Sequence, residues 1–295
     1  MSEVVHSKMT YIGLFCTMRI MPSFSGAVIL PEAKKTLLFK NRDRADMGHK
    51  DELFYDVDCF GVRGIDVVTG QVAGLAIGVN RHGLAAANTH VRNTSDPSYH
   101  LLTEQILMFA KDAEDGLKLV VDHLKQGRKY QWGNIVLADN DSVLVIEIAG
   151  ADHSMEWSQR KVLRTSHHIM LDTEDTLRAE QGDSEIYEAS VKRMERGYDL
   201  VKHVTSPRDV FVLLKDHGDG EGQSSLCRHP DAASQLSTVM SYVVEAEFDS
   251  NPSKPRIVFH VANGNPCKSE YRAIPLVFPA DEEVMKRAYQ IYFAE

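Results

Sequence analysis

Apolar and polar positions alternate in short runs over the first third of the chain. YIGLFCTMRIM, GAVIL, TLLFKN, CFGVRGIDVV, VAGLAIGV and GLAAANT follow one another, separated by Gly, Pro, Asp and Lys clusters. Runs of this length with this punctuation predict strands. The period then changes: LLTEQILMFAKDA and EDGLKLVVDHLKQG carry apolar residues three and four apart, the spacing of a pair of amphipathic helices. NIVLADNDSVLVIEIAG returns to strands around an Asp139-Asn140-Asp141 turn suited to a hairpin.

The second half repeats this order of layers without repeating residues. SEIYEASVKRMERGYDLVKHV predicts a long helix and SPRDVFVLLKDHG a second one. In the latter, Ser206 is a natural N-cap, Pro207 fits the first turn, Val210, Leu213 and Leu214 form one apolar stripe, and Gly218 is the expected stop. Strands follow in STVMSYVVEAEF and PRIVFHVANG, and a terminal helix in DEEVMKRAYQIYFA. This order suits an α+β protein of two antiparallel sheets packed together with helix pairs outside. The polar stretches around 171 to 184 and 216 to 236 fall inside the pattern, so residues 1–295 are expected to form one domain.

Composition sets limits on this reading. The chain has 295 residues, 43% hydrophobic and 25% charged, enough for a large core. A net charge of -9 with acidic residues spread along the chain leaves no basic stripe, which argues against nucleic acid. No apolar run reaches membrane-spanning length, and the N-terminus lacks the layout of a secretory signal, so a cytoplasmic protein without a membrane partner is expected. Cys16, Cys59, Cys227 and Cys267 stand far apart with no CxxC pair, which fits a reducing compartment and neither a zinc ribbon nor a disulfide scaffold. KDHGDGEG brings Asp216, His217 and Asp219 close in sequence, but it is Gly-rich, follows a helix end and has no second ligand cluster, so it reads as a solvated loop.

Two constellations carry candidate chemistry. FKNRDR ends an apolar strand with Asn41, Arg42, Asp43 and Arg44 in succession, more polar groups than a turn needs. GVNRHGLAAANTHV reads as a turn at Asn80 to Gly83, then Ala85, Ala86 and Ala87 leading to Asn88. Small side chains let a backbone or a ligand approach closely, and a carboxamide at their end has the donor an oxyanion requires; a tightly packed strand capped by Asn fits equally well.

Together with AVILPEA, TLLFKNRDR, VLRTSHH, LLKDHGDGEGQSSLCRHPD, STVMSYVV and VANGNPCKSEY, in that order, these segments resemble the penicillin acyltransferase family. Its members are linear amide hydrolases of the N-terminal nucleophile (Ntn) superfamily, related to bile salt hydrolases. The resemblance runs from about residue 23 to 276. It implies a four-layer αββα sandwich, a nucleophile exposed by self-cleavage, and hydrolysis or transfer of an acyl group at a linear carbon-nitrogen amide bond, with no metal or organic cofactor. The implied partner is a small-molecule amide or acyl substrate, and a homo-oligomer is compatible with it.

In such a site a Cys, Ser or Thr attacks the carbonyl before it, and the freed α-amine, with a reference pKa of about 7.7 to 8.0, becomes its base. Asp43 matches the family carboxylate that positions this amine, and Asn88 the oxyanion donor. Lys40 and Asn41 match substrate-binding positions, with Lys40 where bile salt hydrolases carry Arg. Ser166 replaces an Asn donor, and Ser234 matches a family Ser whose Arg neighbour is here Gln235. Cys227 and Cys267 match positions with structural roles. If PEAKK is a turn centred near residue 33, the residues facing Asn41 to Asp43 are Ser23 to Ser25. Ser25, followed by Gly26, is then placed as nucleophile after a leader of residues 1–24. Cys16, followed by the family-like Thr17, requires a leader of 1–15 and a longer hairpin. The remaining alternative is a catalytically silent family member that binds a small molecule or serves as a structural partner.

Overall fold

The structure, a computed structural model, describes residues 23–45, 51–180, 185–232, 234–249 and 251–294. The YIGLFCTMRIM run and Cys16 lie outside the described residues. β1 (Ser23–Leu30) and β2 (Lys35–Arg44) form the expected hairpin around a 3-10 turn at Pro31–Ala33, with Lys34 in the left-handed region. Four residues in the loop centre the hairpin between 32 and 33, half a residue earlier than the sequence suggests. Ser25 therefore faces Lys40 and Ser23 faces Arg42, while Asn41 faces Phe24. Because facing residues share a side of the sheet, this small difference moves both serines to the side of Lys40 and Arg42.

The sheet containing this hairpin has the order β10-β1-β2-β11-β12-β13. Its other strands are β10 (Lys161–Arg164), β11 (Ser237–Glu247), β12 (Arg256–Asn263) and β13 (Arg272–Leu276). The second sheet is a meander of β3 (Leu53–Tyr55), β4 (Cys59–Ile65), β5 (Val72–Asn80), β6 (Ala85–Arg92), β7 (Tyr130–Ala138), β8 (Val143–Gly150) and β9 (Asp152–Ser158). Neighbouring strands pair antiparallel throughout.

The two sheets pack face to face through Leu38, Ile77, Val79, Val136, Tyr242 and Phe259. On the outer side of the second sheet, α1 (His100–Phe109) and α2 (Ala113–Lys125) cover Leu75, Ile135 and Ile146 with Leu102, Ile106 and Val120. On the outer side of the first, α4 (Glu185–Val201) and α5 (Pro207–Leu214) cover Phe24, Leu37 and Phe39 with Val201, Val210 and Leu213. The result is the αββα sandwich. α3 (Glu174–Glu180) precedes α4, and α6 (Glu282–Phe293) brings Ala288 and Tyr292 to the core between the sheets. Among the described residues no helix is long and apolar enough to cross a membrane.

Two local features fix β1 and β2 in place. Gly26 lets β1 fit tightly, since a Cβ there would lie 2.7 Å from the Val162 carbonyl oxygen and 2.8 Å from the Phe39 ring. The helix expected to run to Gly218 ends at Leu214, whose carbonyl accepts a hydrogen bond from Asn41 Nδ2 at 3.0 Å. A strand side chain thus takes one of the carbonyls that a helix end leaves open.

Candidate active site

Polar groups gather at the open end of the first hairpin. Asp43, at the end of β2, is 1% exposed. Its Oδ2 accepts from Arg228 Nη1 at 3.3 Å and Arg193 Nη1 at 3.5 Å, and its Oδ1 from Thr238 Oγ1 at 2.7 Å. Arg193 comes from the buried face of α4, Arg228 from the loop before β11. Burial lowers the pKa of both guanidiniums; for Arg193 the neighbouring Arg228 lowers it further, and Asp43 opposes the shift at each. Guanidinium stays protonated, so two cations share one carboxylate away from water.

On the inner side of β2, Ser23, Lys40, Arg42, Asp43, Asn88 and Tyr99 line a cavity of about 20 Å³. That volume holds roughly one water molecule. The Lys40 ammonium donates to the Asn88 carbonyl. Burial lowers the Lys40 pKa to about 7, assisted by the Arg42 charge and opposed by Asp43 and Asp51. Arg42 is in turn held by Asp51, 3.2 Å away, and by the Arg63 carbonyl at 3.1 Å. A far larger groove, about 710 Å³, opens beyond the clasp between Arg178, Glu188, Lys192, Arg228, Ser234 and Leu236. Arg228 links the groove to Asp43.

The residues singled out in the sequence take different places. Asp43, Lys40 and Asn88 line one cavity. The Asn88 carboxamide, however, donates to the Leu75 carbonyl and to Thr103 Oγ1, both at 2.9 Å, toward the helix-covered side of its sheet. Its NH2 is already engaged there; the backbone carbonyl is what meets Lys40. Ser25 is wholly buried within β1, and its hydroxyl donates to the Phe39 carbonyl at 3.0 Å. Asn41 joins the Leu214 and Leu226 carbonyls to Ser241, away from the cavity. Ser166 accepts from the Ser23 amide at 3.3 Å. Ser234 borders the larger groove and accepts from the Leu236 amide at 3.2 Å.

Sequence reasoning missed Arg193 and Ser190. Both lie on the buried face of α4 with Tyr187 and Gly197, and an Arg spaced three and four residues from small or apolar neighbours was the available signal. Ser190 Oγ accepts from the Ser166 amide at 2.9 Å and meets His167 Nδ1 at 2.9 Å, so α4, which also reaches Asp43 through Arg193, ties the end of β2 to the segment after β10. Burial lowers the His167 pKa to about 4, with Arg193 and Arg164 adding to the effect, so this imidazole is neutral at pH 7.

Two face-to-face antiparallel sheets with helices on both outer sides define an Ntn hydrolase-like fold. The chain belongs to the acyl-coenzyme A:6-aminopenicillanic acid acyl-transferase family, whose sequence profile matches residues 30–259. Ser23 and Ser25 precede the matched segment. Among solved structures, a mutant of conjugated bile acid hydrolase from Clostridium perfringens is similar in fold, with a TM-score of 0.51 and 8% identity over 86% of this chain and 97% of that one. Penicillin V acylase from Agrobacterium tumefaciens aligns with a TM-score of 0.48 and 11% identity, over 88% of this chain and 93% of that one. No curated protein matches the chain.

Proposed function

We propose that this protein hydrolyses or transfers an acyl group at a linear, non-peptide amide bond, using an N-terminal nucleophile freed by self-cleavage ahead of or within β1. The observation that carries the reading is the Asp43 carboxylate, buried and clasped by two arginines, beside the cavity lined by Ser23. An α-amine released at the start of β1 needs a carboxylate nearby to orient it as the base. Family membership supports the same chemistry.

Ser23 is our assignment for the nucleophile, because it lines the cavity, whereas Ser25 lies two residues deeper with its hydroxyl bonded to Phe39. In self-cleavage the Ser23 hydroxyl adds to the Pro22 carbonyl and the Pro22–Ser23 C–N bond breaks. Water then hydrolyses the ester, leaving a Pro22 carboxylate and a free Ser23 amine. In turnover that amine takes the hydroxyl proton and passes it to the leaving amine of the substrate. Lys40 and Ser166 are the donors at hand for the developing oxyanion, and the groove bounded by Arg228 and Ser234 is the entry for the acyl or amine half.

Intact mass and N-terminal sequencing distinguish the nucleophiles. The expected mature chain begins Ser-Phe-Ser-Gly, and Ser23→Ala stays uncleaved. A chain beginning Ser-Gly-Ala-Val transfers the role to Ser25, and one beginning Cys-Thr-Met-Arg transfers it to Cys16. A chain that keeps Met1 or Ser2 after long incubation, with no residue labelled by an electrophilic amide mimic, overturns the enzyme reading in favour of a small-molecule binder.

A further inference from the structure

His217, Cys227, His229 and Cys267 converge from three separate stretches of chain, and their ligand atoms all lie within 4.8 Å of one another. His229 Nε2 is 3.1 Å from His217 Nε2, 3.6 Å from Cys227 Sγ and 3.4 Å from Cys267 Sγ. A tetrahedral zinc ion with Zn–S near 2.3 Å and Zn–N near 2.0 to 2.1 Å has ligand-to-ligand edges of about 3.4 Å for N–N and about 3.5 Å for N–S. The observed separations are within a few tenths of an ångström of those edges. Hydrogen bonding alone accounts poorly for such a cluster, because two imidazoles and two thiols at one point offer more lone pairs than protons to share.

The surroundings fit a metal centre. Glu221 Oε2 lies 3.5 Å from His229 Nδ1, which favours a proton on Nδ1 and turns the Nε2 lone pair toward the cluster. Cys227 and His229 are buried and His217 and Cys267 half-buried, so the four ligands close the site on its inner side. The described residues from 215 to 236 form no helix or strand, yet they are held in place. The Cys227 amide donates to the Asp216 carbonyl at 3.0 Å, and Asn265, two residues before Cys267, donates to the Arg228 carbonyl at 2.9 Å. An ordered loop of this length requires a fastening, and it carries Arg228 between two of the four residues.

We propose that His217, Cys227, His229 and Cys267 bind one zinc ion in a closed, tetrahedral, structural site. On binding, each thiol gives its proton to solvent and each sulfur and Nε2 donates an electron pair to the cation, so two thiolates balance the charge of the ion. Four protein ligands leave no open position for a substrate or a water nucleophile. The ion staples the loop before β11 to the turn after β12 and thereby holds Arg228 against Asp43. The site stands independently of the amide chemistry proposed above.

The test uses the full chain, loaded with zinc under reducing conditions and freed of excess by gel filtration. One zinc per chain by elemental analysis is expected. The cobalt(II) form should show intense visible ligand-field bands of a four-coordinate ion with thiolate charge-transfer absorption. Cys267→Ser and His217→Asn should each abolish stoichiometric metal, Cys59→Ala should retain it, and Glu221→Gln should weaken it about 10- to 100-fold. Chelation should lower the thermal midpoint and speed amide exchange at residues 226–229. The proposal is overturned by a chain that retains no zinc, by a six-coordinate cobalt spectrum, by a Cys227–Cys267 disulfide in the reduced preparation, or by full metal content in both ligand variants. Should either variant fail to fold, the wild-type metal content and cobalt spectrum decide the matter alone.

Discussion

A single oxygen pair organises the candidate site. Asp43 shares its carboxylate between Arg193, Arg228 and Thr238, and each of these groups is buried. Asp43→Asn keeps the shape but removes the charge that Arg193 and Arg228 share in a region of low dielectric, with Asp231 left as the remaining carboxylate acting on Arg228. Breaking a buried pair in this way costs about 3 to 5 kcal/mol. Chemical denaturation should register that loss, and Arg193→Met placed on top of Asp43→Asn should recover part of it. A loss below about 1 kcal/mol would show that solvent reaches the clasp.

The segment between β10 and α3 shows how one buried group holds a loop in place. Glu147, in β8, is wholly buried; it accepts from Arg164 Nε at 2.9 Å and from the backbone amides of Ile169, Met170 and Leu171 at 2.9, 2.8 and 3.0 Å. Burial pushes its pKa up, but Arg164 and the amides outweigh this and hold the carboxyl below its ordinary value. Glu147→Gln replaces an acceptor oxygen by a donor facing donors. A lost hydrogen bond to a charged group is worth about 1.5 to 3 kcal/mol, so the amides of 169–171 should exchange about 10- to 100-fold faster. Exchange unchanged in this loop, against an otherwise native protein, would mean that packing alone holds it.

Stability of the whole sandwich carries a pH signature from its buried imidazoles. Burial pushes His90 and His167 down to about 4, for His90 against the pull of Asp66. The unfolded chain binds these protons near pH 6.5 while the folded chain does not, so stability is complete above that pH and falls as pH drops through 6.5 toward 4. Each group contributes at most about 3 kcal/mol to this fall. Urea midpoints measured between pH 7 and 4 should decline, and His90→Leu should flatten the decline. An identical slope in the variant would assign the acid sensitivity to other groups.

Periodicity along the chain determined much of this molecule. The strands GAVIL, TLLFKN, VAGLAIGV and GLAAANT are legible as short apolar runs bounded by turn residues, and the helix pairs because an apolar face repeats every 3.6 residues, both properties of local sequence. The hairpin and its cluster at Asn41 to Arg44 are legible for the same reason. β9 is not: it is an edge strand, its DHSMEWS segment is largely exposed, and so no apolar face marks it. The half-residue shift of the hairpin, set by the Pro31–Ala33 turn, decided which side of the sheet carries Ser23 and Ser25. Packing also decided that the Asn88 carboxamide turns toward α1, and that Arg193 and Arg228 reach Asp43 across 150 and 185 residues of chain. His217, Cys227, His229 and Cys267 show no metal spacing in the sequence for the same physical reason. Local pattern records which face of an element is apolar, whereas convergence of polar side chains from distant segments exists only once the sheets and helices have closed around them.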